Sequence, residues 1–250
     1  MEGIKEAIIK ETATEESTIK EAIILAGGLG TRLRPAVPDL PKCLAPVGGR
    51  PFLAYVTDYF RREGIGKFIF ALGYKSADFD AFLRTEFPHG AYEISLEAEP
   101  LGTGGAIRQA CERVEESTAL ILNGDTFFRI DLEALAEFHT RKQAGCSLCL
   151  KPMQDFDRFG VVELDADQRV SGFREKQYYP AGLINGGVYA LDREHFLRED
   201  LPAKFSFEKD YLEKALDRSR IFGLVQNDYF IDIGIPEDYL RVQSAINKLL

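Results

Sequence analysis

The sequence predicts an α/β fold built on a mostly parallel sheet, and three observations carry that expectation. From Glu21 onward, short apolar runs alternate with stretches of helical period. Several of the runs, such as Phe68 to Leu72, are continuous in apolar residues, as strands covered on both faces are. The chain has 250 residues, 45% of them apolar, enough for one large α/β domain or two intimately joined lobes. Strands alternating with amphipathic helices imply right-handed crossovers and hence parallel pairing.

The elements follow in order. Residues 1–20 form an N-terminal extension in which Ile4-Lys-Glu-Ala-Ile-Ile9 recurs intact as Ile19-Lys-Glu-Ala-Ile-Ile24. The second copy opens the first core strand, 21–26. The first copy reads equally as a duplicated start, an added edge strand, or a segment docked on a neighbouring subunit, which would make a homodimer. Pro51 opens a helix whose Phe52, Tyr55, Val56, Tyr59 and Phe60 share one face, and Gly64 ends it. Strand 68–72, helix 76–86, strand 92–97, helix 104–115 and strand 118–122 complete a first half over about 21–145. Beyond 145 the texture changes. Strands 146–151, 160–164, 169–174 and 183–191 are separated by turns such as Asp165-Ala-Asp-Gln168, which reads as an antiparallel or mixed lobe over about 146–230. A last helix, 236–249, starts at Pro236, carries Glu237 and Asp238 in its first turn, and buries Tyr239, Val242, Ile246 and Leu249. One domain, 21–250, holds both halves.

Bulk properties exclude several functions. A net charge of −9 and a pI near 5 provide no basic field for nucleic acid or an anionic membrane. No run of 18 apolar residues is present, and the N-terminus is too acidic for a signal peptide. Cys43, Cys111, Cys146 and Cys149 have no zinc spacing. Cys146 and Cys149 fall on opposite faces of one strand, so four buried, unpaired thiols in a reducing cytoplasm are expected. His89, His139 and His195 lie far apart and show no dyad or ligand spacing.

One segment carries the chemistry: Ala22-Ile-Ile-Leu-Ala-Gly-Gly-Leu-Gly-Thr-Arg32, closed by Lys42 behind Pro41. Three glycines let backbone approach a phosphate, and two fixed cations can neutralise it. A Walker loop is excluded because Lys42 lies 12 residues beyond Gly30 with no Ser or Thr behind it. The dinucleotide fingerprint fails because its third glycine position holds Leu33. The segment reads as one that handles a nucleoside triphosphate, with an ordinary glycine turn beside two solvated cations as the plain alternative, and a negative protein that binds a triphosphate must recruit a divalent cation. Asp125, after the apolar run ending at Leu122, and Asp232, in Phe-Ile-Asp-Ile-Gly234, each end a strand and together suit magnesium. Glu97, also at a strand end, carries an acceptor-only carboxylate. Guanine offers it two adjacent donors, N1–H and the exocyclic amino group, whereas uracil or thymine would face it with carbonyl oxygens; Glu97 therefore favours GTP.

The string G-G-x-G-T-R-L-x-P…P-K resembles the signature of the sugar-nucleotide pyrophosphorylases. That resemblance implies a Rossmann-like three-layer α/β/α fold with a smaller mixed sugar-binding lobe. It implies transfer of a nucleotidyl group from an NTP to a sugar 1-phosphate with release of pyrophosphate, and Mg2+ held by Asp125 and Asp232. It further implies nucleotide contacts from Leu25, Ala26, Gly27, Gly28, Gly30, Thr31, Glu97, Gly102 and Thr103, the last touching ribose or capping the helix behind it. Arg32 would hold the leaving phosphates, Lys42 the α-phosphate, and Lys176 the sugar phosphate. Gly160, Glu175, Asn185 and Gly186 would hold the sugar. Glu175 and Lys176 can share a pocket only at a strand end or twist; an exposed ion pair between them is the plain alternative. Strings such as Glu99-Pro-Leu-Gly-Thr-Gly-Gly-Ala106, Asn123-Gly-Asp-Thr-Phe-Phe128, Asp155-Phe-Asp-Arg-Phe-Gly-Val-Val162 and Phe205-Ser-Phe-Glu-Lys-Asp210 are most similar to D-glycero-D-manno-heptose 1-phosphate guanylyltransferases. Those enzymes make GDP-heptose for bacterial surface glycans. A mannose-1-phosphate guanylyltransferase or a uridylyl- or thymidylyltransferase would share the phosphate chemistry. A non-catalytic regulatory module on this fold would be expected to have lost a metal aspartate or a cation.

Overall fold

A computed structural model of the chain describes residues 18–28, 33, 37–73, 76–216 and 220–250. The strands are β1 (Glu21–Leu25), β2 (Pro46–Val47), β3 (Arg50–Pro51), β4 (Lys67–Leu72), β5 (Tyr92–Leu96), β6 (Thr118–Asn123), β7 (Thr126–Phe128), β8 (Cys146–Phe156), β9 (Val161–Leu164), β10 (Val170–Arg174), β11 (Tyr179–Asp192), β12 (Ile221–Val225) and β13 (Phe230–Asp232). The α-helices are α1 (Phe52–Arg62), α2 (Phe79–Glu86), α3 (Gly102–Ala110), α4 (Leu132–Lys142), α5 (Arg193–Leu197) and α6 (Pro236–Gln243).

A seven-stranded sheet runs in the order β12-β8-β11-β6-β1-β4-β5. Its pairings are parallel except those of β11, which runs against both β6 and β8. Alternate residues of each strand feed two cores. Ala22 and Ile24 face one, with Phe52, Phe60, Phe79 and Leu135 of α1, α2 and α4. Ile23 faces the other, with Ile107 of α3, Phe196 of α5, and Phe207 and Tyr211. Two cores on either side of one sheet make the three-layer α/β/α arrangement that the resemblance implies. The same alternation puts Cys149 in the first core and Cys146 in the second; all four cysteines are buried and unpaired.

Several boundaries differ from the sequence expectation. β7 and α4 lie in a stretch for which no element was expected. Asp131 caps α4 by accepting from Ala134 N at 2.9 Å. β8 and β11 reach well beyond 151 and begin before 183, because each supplies the other's hydrogen-bond partners from Tyr179↔Phe156 to Leu191↔Cys146. α3 starts at Gly102 and gives way to a 3-10 turn at Cys111. The last helix stops at Gln243, where Ser244 Oγ turns back to Arg241 O, and Ile246–Lys248 form a 3-10 turn. β8, β11 and β12 belong to the same sheet as the first half, while β9–β10, β7–β13 and β2–β3 stand apart as antiparallel pairs. The first copy of the repeated hexapeptide lies outside the described residues, whereas Ile19 and β1 of the second copy are buried.

Candidate active site

Three neighbouring strands end in glycine at their carboxyl edge: Gly27 follows β1, Gly73 follows β4, and Gly124 follows β6. Gly124 N donates to Leu25 O at 3.0 Å and Ala26 N to Ala71 O at 3.1 Å, so these backbones are in direct contact. A Cβ on Gly27 would meet Gly73 N at 3.0 Å and Glu97 Oε1 at 3.2 Å; one on Gly124 would lie 2.9 Å from Leu25 O. The result is a crevice lined by bare backbone at the edge where open α/β sheets take ligands. Gly73 escaped the sequence reading, since a single glycine after a strand carries no motif.

Glu97 sits on one side of this crevice. Its Oε2 accepts from Leu101 N at 2.8 Å, and its Oε1 faces Gly27 and Gly73. The carboxylate is thereby held in place rather than left as a freely solvated strand-end group. Gly102 follows with φ +75°, and a Cβ there would lie 2.5 Å from Phe205 O, so only glycine fits. Thr103 is not a cap. It lies within the first turn of α3, accepts from Phe207 N, and donates to Glu208 Oε2, both at 2.8 Å. Gly28 follows Gly27 into open space. Gly30, Thr31 and Arg32 lie outside the described residues.

Lys42 begins a short 3-10 turn set by Pro41. Its ammonium lies 2.5 Å from Asp125 Oδ2 and 3.6 Å from Asp232 Oδ1. The 107-residue separation of these aspartates closes through β7 and β13: Asp232 pairs with Thr126, and Ile233 N donates to Asp125 O at 3.0 Å. Gly234 is demanded by the same crowding, since its Cβ would meet Asp232 Oδ1 at 2.6 Å and Lys42 Nζ at 3.0 Å. Burial pushes the Asp232 carboxyl above its ordinary range, the nearby Asp125 adds to the rise, and Lys42 opposes it. Among the described residues no cluster of three or more His, Cys, Asp or Glu forms a protein-only metal cage.

Asp232 also borders a cavity of about 390 Å³. Gly160, Glu175, Lys176, Asn185 and Gly186 all line it. Glu175 and Lys176 share it because β10 ends at Arg174 and the chain bends, which frees adjacent side chains from strand alternation. No ion pair joins these two among the described residues. Gly160 leaves no room for a side chain, with Arg174 O 2.5 Å from a notional Cβ; Gly186 is pressed equally against the Phe128 ring. Asn185 is committed internally, donating to Tyr189 Oη at 2.8 Å and accepting from Gly187 N at 3.0 Å. Asn123, Tyr189, Ser206 and Glu208 also line the cavity. None was singled out from the sequence, because only the packing of 203–208 on α3 brings the last two there. A second cavity, of about 430 Å³, shares Phe159, Phe230 and Asp232 with the first. Its Arg158 and Arg241 both pair with Asp238.

This geometry can be set beside known proteins. The chain is 44% identical over 230 residues (92% of this chain, 100% of the relative) to the D-glycero-alpha-D-manno-heptose 1-phosphate guanylyltransferase of Aneurinibacillus thermoaerophilus. It is 43% identical over 219 residues (88% and 96%) to the protein of the same name from Campylobacter jejuni. Its fold superposes with a TM-score of 0.79 on the crystal structure of HddC from Yersinia pseudotuberculosis complexed with GMP-PN, at 33% identity and covering 91% of this chain and 100% of that one. The nucleotidyl transferase family profile matches residues 21–248, and the chain belongs to that family.

Proposed function

We propose that the chain transfers the guanylyl group of GTP to D-glycero-D-manno-heptose 1-phosphate, forming GDP-heptose and releasing pyrophosphate. The observation that carries the reading is the meeting of Lys42, Asp125 and Asp232 at the border of the cavity that Lys176 lines. Similarity over 100% and 96% of the length of two heptose 1-phosphate guanylyltransferases supports the choice of sugar. Glu97, fixed beside the glycine crevice, supports guanine as the base.

A phosphate monoester has a second pKa of about 6, so the nucleophile is already largely ionised near neutral pH and needs no general base. The obstacle is repulsion between a dianion and a triphosphate, and these residues answer it by positioning and neutralisation. Lys176 holds the attacking phosphate, and Lys42 stands against the α-phosphate. A phosphate oxygen of the sugar attacks the α-phosphorus in line, the bond from that phosphorus to the β-bridging oxygen breaks, and pyrophosphate leaves with its electron pair. Asp125 and Asp232 suit Mg2+: they are hard oxygen donors, they already converge on one cationic centre, the Lys42 ammonium, and magnesium takes one or two carboxylates plus phosphate oxygens and water. Magnesium, when bound, supplies charge neutralisation across both phosphoryl groups. We place the reaction in the cytoplasm, in keeping with four unpaired buried thiols, with the product destined for bacterial surface glycans.

Pyrophosphate release with magnesium, four NTPs and a panel of sugar 1-phosphates tests this. GTP with the heptose 1-phosphate should give the highest kcat/KM. No release with any pairing would point to a nucleotide-binding regulatory module instead.

A further inference from the structure

The segment Phe205-Ser-Phe-Glu-Lys-Asp210 is built with more care than packing requires. Phe207 and Tyr211 are fully buried anchors on either side of Glu208. Backbone bonds seat the segment on α3: Gly104 N donates to Phe205 O, and Phe205 N to Leu101 O, both at 3.0 Å. A six-residue π-helical turn begins at Phe207, with Ser206 as its cap, accepting from Lys209 N at 3.2 Å. Between its anchors Glu208 points into the 390 Å³ cavity.

The Glu208 carboxylate has an unusual set of partners. Thr103 Oγ1 donates to Oε2 at 2.8 Å and Ser206 Oγ to the same atom at 3.1 Å. Two hydroxyls thus fix one oxygen and the orientation of the group. No ion pair of Glu208 occurs among the described residues, and Oε1 accepts no hydrogen bond from them. A carboxylate oriented by two hydroxyls, with its other oxygen open to the cavity, is set to accept donors from a ligand that displaces water there. The neighbouring amide cannot take this task as readily, because Asn185 is already bonded at both ends. Sugar hydroxyls are donors of the required kind, and Lys176 lines the same cavity to take the phosphate.

We infer that Glu208 Oε1 accepts a hydrogen bond from a ring or side-chain hydroxyl of the acceptor sugar, with Thr103 and Ser206 orienting the carboxylate. Glu208 is thus a specificity-determining residue for the sugar. This rests on the sugar 1-phosphate reading of the cavity.

Steady-state kinetics of wild type and Glu208→Gln, varying GTP and the sugar 1-phosphate separately, test it. A hydrogen bond to a charged acceptor predicts a loss of at least about tenfold in kcat/KM for the sugar 1-phosphate. KM for GTP should stay within about twofold, because Glu208 is not at the glycine crevice. A set of monodeoxy sugar 1-phosphates adds a readout that misfolding would not reproduce. One analogue should lose about tenfold on wild type and several-fold less on Glu208→Gln, whose amide oxygen still accepts but without charge. Unchanged sugar kinetics, equal losses for both substrates, or the same deoxy penalty in both proteins would each overturn the inference. Wild type inert towards the heptose 1-phosphate would overturn the substrate reading instead. The Glu208 loss must then appear with whichever sugar 1-phosphate is turned over, or the inference falls as well.

Discussion

Lys42 is the residue on which the site turns. Its ammonium is mostly shielded from solvent and lies within 2.5 Å and 3.6 Å of two carboxylates that would otherwise repel each other in a half-buried place. Deleting it leaves Asp125 and Asp232 facing each other uncompensated and, in the proposed mechanism, removes the positive charge set against the α-phosphate. Lys42→Ala should therefore lower turnover by about 100-fold or more, the scale lost with one electrostatic stabiliser. Pyrophosphate release by the folded variant checks this, and near-wild-type turnover would remove Lys42 from the chemistry. At this scale the three residues that the structure brings together, Lys42, Asp125 and Asp232, were legible in the chain, because strand tips with Asp, and a lysine behind a proline, are local features. Glu208 and Gly73 were not. One sits in a segment that only long-range packing on α3 brings to the cavity, and the other matters only because Gly27 lies beside it.

Among the elements, α3 shows glycines set by packing. The resemblance implies a nucleotide contact for Gly102, and Gly102, Gly104 and Gly105 also let 203–208 lie against the helix. A Cβ on Gly104 would fall inside the Phe205 ring, and one on Gly105 would meet Ala203 O at 2.5 Å. Gly102 is the strictest, since positive φ and a backbone oxygen at 2.5 Å leave no soft neighbour to yield. Gly102→Ala should cost about 1–3 kcal/mol of stability, measured by urea unfolding, as overpacking against rigid backbone does. The omission of α4 has the opposite cause. Its apolar positions Leu132, Leu135, Ala136 and Phe138 and its Asp131 cap are all local signals. They are interleaved with charge at the end of the first half, beyond strand 118–122, where no element was expected. The lengths of β8 and β11 were beyond local reading, because each strand persists only while the other pairs with it.

At the level of the whole molecule, one sheet carries both proposed substrate regions, so the stability of its edges bears on the site between them. His139 of α4 lies near one such edge, buried, with Nδ1 2.9 Å from Ser147 Oγ of β8. Burial pushes its imidazole down to about 4, outweighing the upward pull of Asp192. The unfolded chain, with an ordinary histidine near 6.5, therefore takes up the proton first as pH falls. The contribution of neutral His139 is complete above about pH 6.5 and is lost progressively towards pH 4, up to about 3 kcal/mol in all. Asp232 acts in the opposite sense, since its raised carboxyl favours the folded state as acid protonates it. The two can be separated by comparing pH dependences rather than absolute stabilities. Urea unfolding of wild type and His139→Gln at pH 7 and pH 4.5 should show the wild type losing more, by about 2–3 kcal/mol. Any constant penalty of the substitution cancels in that difference, and every other titrating group is shared by the two proteins. Equal losses would mean that His139 is protonated as readily inside the fold as outside it, and that α4 is held on the sheet without a neutral imidazole.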